Sequence, residues 1–429
     1  MERPRMVFAD DEGKIYDHPD LEMCGMAGSM ARPVMEEDLI PLPEGSDVFT
    51  LPGRSPLGMN PETGEILVVE ELDGMSIHGV AAFMAPAYTQ SQRAAFETRE
   101  GAPTLPIYAY TAIGYRDGQF WVTGNRVDED QRQDPYRFDL DVIEKNVGET
   151  LKAYPDNRVI SQLERCALEY GCRAAQNFFL SRWEAPLPVS IACNAQCVGC
   201  ISLQPDGEFT ASHDRLKTPP TAEEVFQVAM KHIQVVDQAV VSFGQGCEGE
   251  PLLMGELLIE STRMIRQATP NGTINLNSNG SRPEIVREMI GAGLDSIRVS
   301  MNSPREALYT PYYSPRGYGL KDCIESLRVV NRAGGFTSIN LFVFPGVTDT
   351  EEELDALSVL IEDVGLEMIQ MRNLNVDPEV YERILPPGTF QEGMGTPRLM
   401  RKLNERFPQL RFGYYNPPKE TYLSWRKER

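Results

Sequence analysis

Cys193, Cys197 and Cys200 fall within eight residues, in the stretch PVSIACNAQCVGC from Pro188 to Cys200. Thiolates are soft ligands suited to zinc or to iron–sulfur clusters. The spacing is C-x3-C-x2-C, and no fourth cysteine follows closely. Each thiolate can bind a different iron of one cubic 4Fe–4S cluster, which takes four cysteines when it only carries electrons. Three local ligands leave one iron open to a substrate or cofactor. A structural zinc site uses four protein ligands, often from two C-x2-C knuckles, and the second knuckle is missing. A ferredoxin-type carrier needs the fourth cysteine nearby. Inert thiols bunched by chance rarely show this density.

The elements that must position these cysteines begin with Leu187–Ala192, a short β-type run feeding straight into Cys193. From there strands and helices alternate, which predicts a parallel sheet or barrel. Further strands are expected at Gln238–Gly244, Thr273–Asn279, Ser296–Asn302, Thr337–Phe344 and Met368–Leu374, making six βα-type units. Thr221 with Glu224, and Thr350 with Glu353, form capping-box patterns ahead of apolar periodic runs. The last unit has no clear helix until Thr396–Phe407.

The strands carry a regular polar face. Asn275, Asn277 and Asn279 alternate in the third strand, and Arg298, Ser300 and Asn302 in the fourth. Ser338 and Asn340 alternate in the fifth, and Gln370 and Arg372 in the sixth. Strands buried on both faces read as apolar runs. A polar lining therefore implies a barrel interior filled by water or ligand, with a structural hydrogen-bond network as the alternative. These residues crowd the C-terminal strand ends, where α/β barrels place their active sites.

With the cysteine loop at the same end, the pattern resembles the radical S-adenosylmethionine (radical SAM) superfamily over about Leu187 to Asn375. Gly249-Glu250-Pro251, after the second strand, looks like the Gly-Gly-Glu-Pro motif that holds the cofactor's amino group, with Glu248 departing from its first glycine. The resemblance implies that Ser300 and Asn302 contact ribose and carboxylate, with Arg298 a further carboxylate candidate. It implies that Gly346 and Val347 form an apolar shelf beside adenine, and Asn277 joins this cofactor-binding group. Asn279, Gln370, Arg372 and Asn373 are left as substrate-side candidates.

The fold implied is a partial (β/α)6 TIM-like barrel, at residues 185–376. The cofactors implied are a 4Fe–4S cluster on Cys193, Cys197 and Cys200, and S-adenosylmethionine. The activity implied is reductive cleavage of that cofactor to a 5′-deoxyadenosyl radical, which abstracts hydrogen from a small molecule. A reducing partner such as a flavodoxin or ferredoxin follows. Peptide or protein modification is the alternative, though no cysteine-rich auxiliary-cluster domain is visible. A non-catalytic Fe–S or zinc protein is the alternative of another class.

Residues 1–150 read as a β-rich accessory domain, with hairpins at Met6–Tyr16 and Tyr108–Val122, the latter turning at Asp117-Gly118. DEDQRQDP, from Asp128 to Pro135, is a linker candidate. One long helix is expected over Asn157–Trp183, within a helical linker at 151–184, and residues 377–429 form a Pro-rich C-terminal extension. Cys166, Cys172 and Cys323 read as core thiols, and His232 as a packing residue. Cys24 has no local partner. Cys247 sits inside the second-strand motif, where packing, hydrogen-atom donation and ligation of the open iron are the readings.

The chain has 429 residues, a net charge of −22 and 63 acidic against 41 basic residues, with no basic run, which disfavours nucleic-acid binding. No signal peptide and no 18-residue apolar run is evident, so no membrane span is expected. Eight cysteines without secretory features suit a reducing compartment, the cytoplasm.

Overall fold

The strands expected after the cysteine loop's own strand line up in chain order as one parallel sheet. In the computed structural model, residues 3–204, 209–246 and 248–427 are described. The sheet comprises β1 (Glu184–Pro186), β2 (Val240–Phe243), β3 (Thr273–Ser278), β4 (Ser296–Met301), β5 (Phe336–Val343), β6 (Met368–Asn373) and β7 (Arg411–Gly413). All their loops toward ligand therefore leave from one end, as a partial TIM-like barrel requires.

The outward residues Val241, Phe243, Ile274, Leu276, Ile297, Val299, Ile339, Leu341 and Ile369 are fully buried against helical stripes such as Val225, Leu258, Val286, Leu327 and Leu357. Each such burial is worth about 1.5–3 kcal/mol. The outer face therefore holds the sheet to its helices and frees the inner face for polar residues.

Three expectations are corrected. The first strand lies at Glu184–Pro186, ahead of the expected Leu187–Ala192. The Leu187 N–H makes the last ladder bond, to Ser242 O at 2.8 Å, and Pro188 has no N–H to continue it. The Val189 and Ser190 amides instead donate to the Glu248 carboxylate, each at 2.8 Å. The single helix expected over Asn157–Trp183 is two, Arg158–Leu168 and Arg173–Phe179, separated at Gly171, whose φ is +62°. A further helix, Leu140–Ala153, precedes them, capped by Asp139. The Thr221–Glu224 capping box is reciprocal, whereas only half of the Thr350 box forms. Glu353 there turns to Ser303 Oγ and Arg305 Nε, both at 3.0 Å.

Residues 5–126 form antiparallel strands, including both expected hairpins. Ala9 pairs with Ile15, and Ile113–Arg116 pairs with Gln119–Val122 across Asp117 and Gly118. Their φ values of +52° and +81° suit the primed turn such hairpins favour. This β-rich part packs onto the barrel mouth. Gly28 N–H donates to Pro345 O at 2.9 Å, Val376 N–H to Tyr108 O at 3.1 Å, and buried Arg54 pairs with buried Asp377 at 3.3 Å.

The C-terminal extension supplies β7, a seventh strand too short to stand out in the sequence. It also carries the helix Lys419–Lys427, whose Tyr422 stacks on Phe336 at 4.6 Å. No described helix is long and apolar enough to cross a membrane.

Candidate active site

The cysteine loop leaves the C-terminal end of β1 and is pinned from outside by the helix Glu306–Tyr313. Gln196 N–H donates to Tyr313 O at 2.9 Å and Val198 N–H to Tyr312 O at 3.0 Å. Cys193, Cys197 and Cys200 are free, half-buried thiols. Burial pushes Cys193 up to about 11 and Cys197 well above the usual thiol range, with the neighbouring thiols adding to the rise at Cys197. A bound cation removes that penalty, because metal binding takes up the thiolate form. Arg215, which nothing in the sequence pattern marked, stands 3.7 Å from Cys200 Sγ and donates to Ser202 Oγ at 2.9 Å. Among the described residues no three His, Cys, Asp or Glu groups close around a single ion. A cubane, whose cysteines sit on different irons, asks for wider-spaced sulfurs. The donor set fits such a cluster.

The loop after β2 lies directly against this one. Gly249 N–H donates to Ser190 O and Glu250 N–H to Ala192 O, both at 2.8 Å. A methyl group on Gly249 would overlap the Ala192 carbonyl oxygen. Glu250 accepts from Leu252 N at 2.9 Å, Ser278 Oγ at 2.6 Å and Asn279 N at 2.8 Å. Its carboxylate thus spends most of its acceptor capacity tying this loop to the end of β3. Glu248 is buried and spans Val189 N, Ser190 N and Gly244 N. Burial raises it to about 8 against the pull of those three amides. Cys247 lies outside the described residues.

Below the loops, the polar inner face is a hydrogen-bonded network. Asn275 donates to Ser242 Oγ at 3.1 Å and to Asn277 Oδ1 at 2.9 Å, and Asn277 donates to Phe243 O at 3.0 Å. Asn416, just past β7, reaches across the barrel to Glu184 at 2.7 Å and accepts from Gln370 at 2.9 Å. Gln370 in turn accepts from Arg298 Nη1 at 2.7 Å. Arg372 donates to Tyr414 O at 2.7 Å and lies 3.6 Å over the Tyr414 ring. At the mouth, Asn279 donates to Asn194 of the cysteine loop at 2.8 Å. Ser300 is half-buried on the inner face.

Residues 187–357 match the Radical SAM superfamily. That stretch is a radical SAM domain. A radical SAM methyltransferase from Sphaerobacter thermophilus is 16% identical, with 54% of this chain and 64% of that chain aligned at a TM-score of 0.38. Streptococcus suis SuiB bound to S-adenosylmethionine is 13% identical, with 57% and 55% aligned at 0.39. HydG, a maturase of the FeFe hydrogenase, is 14% identical, with 66% and 67% aligned at 0.39. The aligned region thus spans less than two thirds of the first two of those chains. No curated protein matches the sequence.

Several positions expected to face the radical SAM cofactor are engaged by the chain itself. Gly346, at φ +84°, lies under the Gly28 turn and accepts from Gln391 N at 2.9 Å, and Val347 is fully buried. A methyl group on Gly346 would overlap Gly28 N. The shelf expected there is covered, because the β-rich domain docks on it. Asn302 donates to Leu308 O at 2.9 Å and Tyr381 OH at 3.1 Å, fully buried, and holds the strand end to two helices. Asn277 belongs to the interior network. Asn373 accepts from Gln90 N at 2.9 Å and donates to Tyr88 O at 3.2 Å, so it clamps the β-rich domain.

The remaining marked residues take structural places. Cys24 donates to Leu57 O at 3.1 Å, Cys323 is fully buried beside Tyr309 OH at 3.2 Å, and His232 is buried with Nε2 3.1 Å from Trp183 O. Cys166 is buried and accepts from Gln162 at 3.6 Å, while half-buried Cys172 stands at the N-cap position of the helix Arg173–Phe179 without a side-chain capping bond.

Proposed function

We propose that this chain is a radical SAM enzyme, with a 4Fe–4S cluster held by Cys193, Cys197 and Cys200 and one iron left for S-adenosylmethionine. The observation that carries the reading is the pairing of the cysteine loop, after which no fourth cysteine follows closely in sequence, with the Gly249–Glu250 segment through two 2.8 Å backbone bonds. Reduced cluster and S-adenosylmethionine, when bound, supply hydrogen-abstracting radical chemistry.

The chain's part is to place and enclose. The Tyr312 and Tyr313 carbonyls fix the loop, and Arg215 sets a positive charge beside Cys200. Gly249 permits the close approach of the two loops, and Glu250 and Pro251 frame the place of the cofactor amino group.

A small molecule is the favoured substrate class. The β-rich domain covers the barrel mouth through Gly28, Gln90 and Tyr108, and Ile107 packs beside Val198 of the cysteine loop. Such a cover excludes water from reactive chemistry. The reading includes an external reductant of the flavodoxin or ferredoxin kind, and a cytoplasmic setting.

The test is anaerobic reconstitution with iron and sulfide, then S-adenosylmethionine and dithionite, with 5′-deoxyadenosine measured by chromatography. Product is expected, and Cys197→Ala is expected to lose both product and iron. Absence of product from the native chain, with unchanged iron in Cys197→Ala, overturns the proposal.

A further inference from the structure

Inside the barrel, charge and hydrogen bonding do not balance. Arg298 is 7% exposed, and its Nε has no hydrogen-bond partner among the described residues. Arg372 Nε lacks one as well. The charged neighbours acting on Arg298 are Arg372 and Glu184. Among the described residues, two guanidinium groups thus meet one carboxylate around Arg298. Glu184 accepts from Ser242, Gln245 and Asn416, all through Oε1, and no hydrogen bond joins it to either arginine among those described. Burial and the Arg372 charge depress Arg298 to about 9. A buried, incompletely paired cation is unfavourable unless something compensates it.

The register shows where compensation fits. Ser300, Asn340 and Gln370 lie side by side across β4, β5 and β6. Arg298 is two residues before this row on β4, and Arg372 two residues after it on β6. Gln370 is spent on Arg298 and Asn416. Asn340 is buried and its Oδ1 has no partner among the described residues, so its amide is able to turn an N–H toward an anion. One uncompensated positive charge matches a singly charged group, and a guanidinium edge matches a planar carboxylate.

We infer that Arg298 and Arg372, with Asn340 and Ser300 between them, form an anion subsite that takes a carboxylate of the substrate. This rests on the barrel interior being the substrate chamber, and it moves Arg298 and Ser300 from the cofactor to the substrate.

The test uses full-length reconstituted protein without reductant, so it reads separately from cofactor cleavage. Sodium propionate, against sodium chloride of equal ionic strength, is expected to raise the thermal midpoint, and Arg372→Gln to abolish the rise. Asn340→Asp places a carboxylate in the subsite. It is expected to raise the midpoint without added anion, to remove the propionate response, and to leave S-adenosylmethionine affinity within about twofold. A merely structural network predicts the reverse, since Asn340→Asp would then add an unpaired buried charge and lower the midpoint. That result, or no propionate response in the native chain, overturns the proposal. So does a larger response to inorganic phosphate than to propionate. A loss of S-adenosylmethionine affinity in Arg372→Gln of about tenfold or more, without a propionate effect, would assign the arginines to the cofactor instead.

Discussion

Gly249 sits against the carbonyl of Ala192, with its N–H bonded to Ser190 O at 2.8 Å and no room for a methyl group between the two segments. One glycine therefore decides how closely the second-strand loop approaches the cysteine loop. Gly249→Ala forces the loops apart, at a cost of about 1–3 kcal/mol typical of overpacking. The expected outcome is an unchanged circular dichroism spectrum with S-adenosylmethionine affinity lowered about tenfold. Equilibrium dialysis and iron analysis on the reconstituted variant check it.

Arg54 and Asp377 are both almost wholly buried where the β-rich domain meets the chain beyond β6. Among the described residues, Arg54→Met leaves the Asp377 carboxylate with the Leu105 and Glu379 amides. Removing one partner of a buried pair costs about 3–5 kcal/mol. The urea midpoint should fall accordingly, and trypsin should cut the variant faster under native conditions.

Asn416 bridges Glu184 and Gln370 across the gap between the first and last strands. Asn416→Ala strips both of a partner inside the barrel, with a destabilisation of about 2 kcal/mol expected. Asn416→Asp should do more harm, because it sets a second carboxylate beside Glu184. Thermal unfolding of both variants at neutral pH measures the order.

His232 is held neutral, its ordinary value of 6.5 depressed to about 4 by burial, with Glu184 opposing and Lys231 adding to the effect. Below about pH 6.5 the unfolded chain takes up a proton that the folded chain refuses until about pH 4. Stability attributable to this residue is thus full above pH 6.5 and is lost as pH falls, by up to about 3 kcal/mol. His232→Gln should flatten the stability profile between those values. An unchanged slope would show that other groups dominate acid unfolding.

The pattern along the chain was legible where one short stretch carries the physics. Cysteine spacing, the Asp117-Gly118 turn and the Thr221 cap each depend on residues a few positions apart. The alternation of Arg298 and Ser300 with Ile297 and Val299 placed the polar face correctly. What that face does was not legible, because Asn416 and Glu184, which bond to its members, lie 232 positions apart. Glu248 read as a departure from a glycine. Only its three amide partners, two of them almost 60 positions away, explain why a carboxylate belongs there.

The sequence by itself determined the resemblance of residues 187–357 to a radical SAM domain, the βα order and the loop on which a cluster can sit, since periodicity and ligand spacing are local properties. The tertiary structure decided the rest. It brought Arg215 to Cys200, set Arg298 and Arg372 around one row of strands, and laid Gly28 over Gly346. Each of those depends on long-range docking of buried polar groups, whose partners are chosen by geometry after the chain has folded and not by neighbours in sequence.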